Sequence, residues 1–251
     1  MSNPQFQKNM DYFHQRSDSL ETKPELLTEF ITPNDKFFVC TDKSAPQVNL
    51  ETYTLKIDGD GVGKPLALSY DAIMKLPTHS VTAYLECAGN GRDLFELVMN
   101  QPVLPAEDGF GMTKWQIGGV GNAIWTGVPL RVLLEMAEID PETVAINPKG
   151  LDKDAAEGGV SRPITLDKAM DPDTILAYRM NGERLPIDNG FPFRLIVPGY
   201  VGTNSIKWVG SITCSTSEIK VDRNTIHYVY IGPEWEPDGD VLGELDRKSV
   251  V

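Results

Sequence analysis

The stretch LECAGNGRD, Leu85–Asp93, decides how the rest of the chain is read. The run leading into it, SVTAYLE (Ser80–Glu86), is β-branched and aromatic with clean alternation, and predicts a strand. Cys87 falls where that strand stops. Gly89, Asn90 and Gly91 can each take a positive φ at low cost. Such a run can aim successive N–H groups at one point and form a small anion-binding concavity. Those donors, with Arg92 five residues on, would lower the thiol pKa and favour the thiolate, the form that binds soft metals. The same pattern suits a buried structural cysteine ahead of a glycine turn, and the local residues leave both readings open.

Outward from this loop, short strands and short helices mix without a steady β-α-β beat, which predicts an α+β fold. Residues 1–35 are polar and read as an N-terminal arm, with a helical patch near Pro24–Phe30. Lys36–Val39 is a short apolar run and Tyr53–Ile57 alternates like a strand. DGDGVGKP, Asp58–Pro65, is a turn whose glycine spacing fits neither the dinucleotide fingerprint nor the P-loop. Ser69 is placed to cap a short helix. Thr126 is expected to cap another, with Leu130, Leu133, Leu134 and Ala137 on its apolar face. Further strands are expected at 143–147, in ILAYRM, at Phe193–Val197 and at Ser205–Thr213, with a loop over 148–163 and a capped helix in TLDKAMD.

The chain has 251 residues, 36 acidic and 23 basic, for a net charge of −13. A net negative charge with no basic stripe makes nucleic acid and anionic membrane surfaces poor partners. No apolar run approaches the ~18 residues of a membrane span. The polar N-terminus carries no secretory core, so the expected compartment is the cytoplasm, or the periplasm of a mature chain. Three cysteines, Cys40, Cys87 and Cys214, form neither a disulfide framework nor a zinc spacing. The histidines, His14, His79 and His227, carry no signature of a Cys–His hydrolase. Asp171, Asp173, Asp238 and Asp240 read as solvated loop carboxylates.

LECAGNGR resembles the molybdenum-binding loop of the sulfite oxidase family of molybdopterin enzymes. The likeness continues in order through VGNAIWTGVPLRVLLE (Val120–Glu135) and PITLDKAMDPDTILAYRMNGERLPIDNGFPFRLIVPGYVGTNSIKWVGSI (Pro163–Ile212). With the opening FFV it covers about residues 37–213. The resemblance implies the mixed α+β fold of that family. It implies a molybdenum-molybdopterin cofactor with Cys87 as thiolate ligand and Arg92 beside it as the second catalytic residue. Cofactor contacts would come from Arg194, Ser205, Lys207, Asn90 and Asn189. Trp125 and Trp208 are expected as core packing. The domain would span 36–216. The acidic extension 217–251 would lead into a dimerisation domain. The implied activity is oxo transfer, by default oxidation of sulfite to sulfate. Electrons would pass to a separate acceptor protein such as a cytochrome.

The departures from the family pattern cluster on the substrate side. After FFV, Cys40, Thr41 and Asp42 stand where the family has Arg-Asn-His. Val160 is the nearest match to an active-site tyrosine, and Asn189 replaces a histidine. These losses weaken the case for a doubly charged oxyanion. They keep two further readings in play: a reductase of S- or N-oxides, or a non-catalytic cofactor-binding or interaction module. Cys40 reads as an apolar filler, with a second reactive thiol as the alternative. Cys214 reads as structural.

Overall fold

The computed structural model describes residues 6–41, 44–100, 114–154, 158–225 and 228. The fold is α+β. Two sheets carry it, the larger antiparallel and the smaller mixed. The larger has β5 (His79–Glu86), β6 (Val120–Pro129), β8 (Ile175–Met180) and β10 (Arg194–Ile196) in the order β10-β8-β6-β5, with β9 (Glu183–Arg184) paired to β8. The smaller runs β4-β3-β11-β7, from β3 (Thr54–Asp58), β4 (Leu66–Ser69), β7 (Ala145–Gly150) and β11 (Val209–Ser215). Only β3 and β11 pair in parallel; the other pairs in these sheets are antiparallel.

Alternation explains the strand faces. In β3, Leu55 and Ile57 point inward between exposed neighbours. β8 lies between β6 and β10 and is buried at every position but Arg179, so it reads as a continuous apolar run. One core joins the smaller sheet to α3 (Leu130–Met136) and α4 (Leu166–Met170) through Leu133, Leu134, Ile146, Ile212 and Phe193. A second core, around Phe37, Phe38, Trp115 and Trp125, packs on the larger sheet beneath the Cys87 loop. Trp125 and Trp208 are buried, as expected.

Sequence and structure part at several places. Thr126 caps no helix: it lies inside β6, its hydroxyl 2.7 Å from that of Ser80 across the ladder, and α3 starts after Pro129. The strand at 143–147 continues to Gly150, because Lys149 and Gly150 pair with β11. Ser205–Trp208 is not strand; β11 begins at Val209. The helical patch after Pro24 is one 3-10 turn, Pro24–Leu26. Asp171 holds Lys168 at 2.8 Å and Asp173 holds His79 at 2.8 Å, so neither is merely solvated. Asp42, His227, Asp238 and Asp240 lie outside the described residues.

Part of the polar N-terminal arm forms the hairpin β1 (Phe13–Arg16) and β2 (Ser19–Thr22) and packs on the domain. Phe6, Phe13, Leu20 and Val39 form its small core. Leu20 and Val39 exchange both backbone hydrogen bonds, at 2.7 and 2.9 Å. The carboxylate of Glu21, fully buried, accepts from Gly118 N–H at 3.0 Å and pairs with Arg16 at 2.6 Å. The hairpin thereby grips both segments that flank the Cys87 loop.

Ser69 caps α1 (Tyr70–Ile73), its hydroxyl accepting from Ala72 N–H at 3.2 Å. Ser69→Ala should lower stability by about 1 kcal/mol, read as a shift in denaturant midpoint with an unchanged slope.

Candidate functional site

Cys87 follows the last residue of β5 and lines an open cavity with about 640 Å³ of empty space. Backbone hydrogen bonds set the loop. Cys87 N–H donates to Gly119 O at 2.8 Å, Asn90 N–H to Cys87 O at 2.8 Å, Arg92 N–H to Gly89 O at 3.0 Å, and Gly91 N–H to Gln116 O. Gly91 has φ +80° and serves as N-cap of α2 (Arg92–Met99), while Gly89 and Asn90 keep negative φ. The N–H groups of residues 90–92 are thus spent within the protein, and the expected anion concavity is not formed by them.

Asn90 braces this loop. Its amide donates to Glu86 at 2.8 Å and accepts from Gly119 N–H at 2.9 Å. Arg92 folds back over Gly89; a Cβ there would meet its guanidinium at 2.8 Å. Arg92 is not among the side chains lining the cavity. Its charge still acts on the Cys87 sulfur, as does the Gly89 N–H.

The remaining wall comes from the far side of the larger sheet. After β10 the chain crosses to the end of β5, and Gly202 lies so close that a Cβ would sit 2.6 Å from Glu86 O. This crossing brings Thr203, Ser205 and Lys207 to Cys87 and to Arg194 at the start of β10. Arg194 is buried over the Trp125 ring and donates to Ser205 O at 3.1 Å and Asn189 O at 3.2 Å. Burial lowers its pKa to about 10. Lys207 is half-buried as a residue, with its ammonium inside, 4.0 Å from the Trp208 ring centre and 3.2 Å from Asp188 O. Burial, then repulsion from Arg194, lowers its pKa to about 7. Ser205 Oγ accepts from Val197 N–H at 3.2 Å.

The sulfur chemistry differs from expectation. Cys40 Sγ lies 3.9 Å from Cys87 Sγ, and both line the cavity. The hydrogen bond with Cys40, then burial, pushes the Cys87 thiol well up, against the opposing pull of Gly89 N–H and Arg92. Without a metal the thiol therefore holds its proton; a soft metal must displace it. Cys40 is exposed, not the buried filler expected. Cys214 is fully buried in β11, with its pKa raised to about 12 by burial, as a structural thiol should be.

Two residues on the substrate side were missed. Arg223, in α5 (Asp222–Thr225), is buried and lines the cavity, as does Tyr228. Both belong to the stretch read as an acidic extension, and a single arginine in VDRN carries no local signal. Arg162 lies over the Tyr228 ring at 5.3 Å. Burial, chiefly, raises the Tyr228 pKa, so the phenol stays protonated at neutral pH. His79 stands eight residues before Cys87 along β5, roughly 25 Å away at ~3.3 Å per residue. It cannot serve as a base for Cys87.

The residues fit the group that the resemblance implies. Among the described residues no cluster of three or more His, Cys, Asp or Glu could hold a metal, which suits a metal that brings ligands of its own. Arg194 and Lys207 are two adjacent cations without an ion-pair partner among the described residues, which suits a phosphate. Asn189 is fully buried with its Oδ1 unpartnered among the described residues, an acceptor next to Arg194 that a ligand donor would satisfy. No described helix is long and apolar enough to cross a membrane.

Comparison with known proteins agrees. Residues 42–221 match the family described as oxidoreductase molybdopterin binding domain. The chain is 39% identical over 209 residues to mitochondrial sulfite oxidase of Rattus norvegicus, covering 81% of this chain and 37% of that protein. It is 34% identical over 208 residues to nitrate reductase [NADH] of Volvox carteri, covering 80% of this chain and 23% of that one. The sulfane dehydrogenase SoxCD from Paracoccus pantotrophus superposes with a TM-score of 0.74 at 29% identity, over 88% of this chain and 53% of the other. The chain spans about a quarter to a half of the length of these relatives; with residues 42–221 matching the family model, it belongs to the family of oxidoreductases with a molybdopterin-binding domain.

Proposed function

We propose that the chain is the catalytic domain of an oxo-transfer oxidoreductase that oxidises sulfite, or a related small sulfur oxyanion, and passes electrons to a separate acceptor protein such as a cytochrome. One observation carries the reading: a cavity with Cys87 on one wall has buried Arg194 and Arg223 and half-buried Lys207 on the others, in a protein whose net charge is −13. When bound, the molybdenum centre supplies the two-electron redox change. Cys87 ligates it. Arg194 and Lys207 hold the phosphate of the cofactor, with Ser205 and Asn189 as neighbouring polar contacts. Asn90 acts as brace of the ligand loop, and Arg92 sets the field at the ligand sulfur.

Arg223 and Tyr228 then take the part left by the arginine and tyrosine absent from positions 40 and 160. A guanidinium with a protonated phenol offers several donors to an oxyanion, in a site where an unpaired anion would be costly. These cations favour a charged sulfur oxyanion over an uncharged S- or N-oxide.

The test is sulfite-dependent reduction of ferricyanide or cytochrome c by molybdenum-loaded protein. Nitrate and a sulfoxide are run in parallel with a reduced dye. Sulfite turnover is expected; turnover of nitrate or sulfoxide alone overturns the reading. Arg223→Ala should raise KM for sulfite about tenfold, the cost of one charge-assisted hydrogen bond, with molybdenum content unchanged.

A further inference from the structure

We propose that Cys40 supplies a second protein sulfur to the metal of this centre, beside Cys87. The inference rests on the reading above that Cys87 holds the metal. The two sulfurs stand 3.9 Å apart and line one cavity. A disulfide would need them about 2.05 Å apart. With metal–thiolate bonds of about 2.3 Å, the length found in zinc sites, one metal could touch both sulfurs at this separation. The pair is therefore spaced for one soft metal between them.

Three further features separate a ligand from a filler. Cys40 is exposed toward the cavity side, whereas Phe37, Phe38 and Val39 just before it are buried. A packing thiol would follow them inward. Its backbone is also fixed from both sides: Val39 pairs with Leu20, and Thr41 exchanges hydrogen bonds with the Ser19 hydroxyl at 3.1 and 3.2 Å. The hairpin thus holds the Cys40 segment as firmly as the Gly119 contact holds the Cys87 loop. A second thiolate would add negative charge, and Arg194, Lys207 and Arg223, which line the same cavity, offset it. Ligation is balanced simply. The sulfur–metal bond forms as the thiol proton leaves to solvent, no electron moves, and no co-reactant is required.

Molybdenum-edge X-ray absorption on loaded wild type and Cys40→Ser reads the sulfur count directly. We expect one fewer sulfur in the variant. In loaded wild type, iodoacetamide should label Cys40 at least tenfold more slowly than in metal-free protein, as followed by peptide mass. The alkylation arm needs no variant, so a poorly folding Cys40→Ser does not spoil it. Equal sulfur counts, or equal labelling rates with and without metal, overturn the inference alone. Molybdenum retained in Cys87→Ser overturns the underlying site reading instead.

Discussion

Cys87→Ser is expected to leave less than about a tenth of the wild-type molybdenum in protein from a molybdopterin-competent host, and sulfite turnover should fall with it. Loss of groups that merely orient a metal ligand already costs about 10–100-fold in affinity or activity, and loss of the ligand itself costs at least as much. Serine is a hard oxygen donor where the metal needs a soft one. The fold should survive. Cys87 is half-buried, and its structural hydrogen bond to Gly119 is made by the backbone, which the substitution leaves in place. Circular dichroism and melting temperature should therefore change little while metal analysis collapses. Cys214→Ser supplies the contrast. That thiol is fully buried in β11, so its loss should lower the melting temperature while molybdenum per folded chain holds. Full occupancy in Cys87→Ser would show that the metal is held elsewhere.

What could be read from residues alone follows from how local each signal is. The strand into Cys87, the Ser69 cap and the α+β class rest on alternation and capping within a few residues, and each is present. Arg194 and Lys207 were legible only as parts of a family block, because nothing local tells a strand-edge cation from a buried one. The N-terminal hairpin was hidden by its polarity. It is held by its small apolar core, by half-buried Arg16 paired to buried Glu21, and by partners about a hundred residues away, such as Gly118. Arg223 was hidden for the same reason: only the fold brings α5 to the cavity. The pKa of Cys87 was expected to fall because Arg92 and glycine N–H groups are neighbours in sequence. Cys40, 47 residues away, reverses the sign.

Lys207→Met should move stability and cofactor retention in opposite directions. In the metal-free chain the Lys207 ammonium donates to a backbone carbonyl, and burial, then repulsion from Arg194, drops its pKa from 10.5 to about 7. Between about pH 7 and 10.5 the unfolded chain therefore binds the extra proton, and stability rises with pH across that window. Lys8, lowered from 10.5 to about 8 by burial, adds a slope of the same sign. Replacing Lys207 by methionine removes the buried charge while keeping the apolar stem over Trp208. The variant should melt higher than wild type at pH 7 and gain less on going to pH 9.5. Retention of the cofactor should fall, by about 10–100-fold for one lost charge-assisted bond to a phosphate. Bound phosphate would also return the Lys207 pKa upward, so the wild-type pH slope should shrink on loading. Thermal unfolding at the two pH values, with molybdenum content before and after dialysis, reads all three effects. A variant that loads as well as wild type would release Lys207 from the phosphate role, and an unchanged pH slope would show that the buried proton sits on another group.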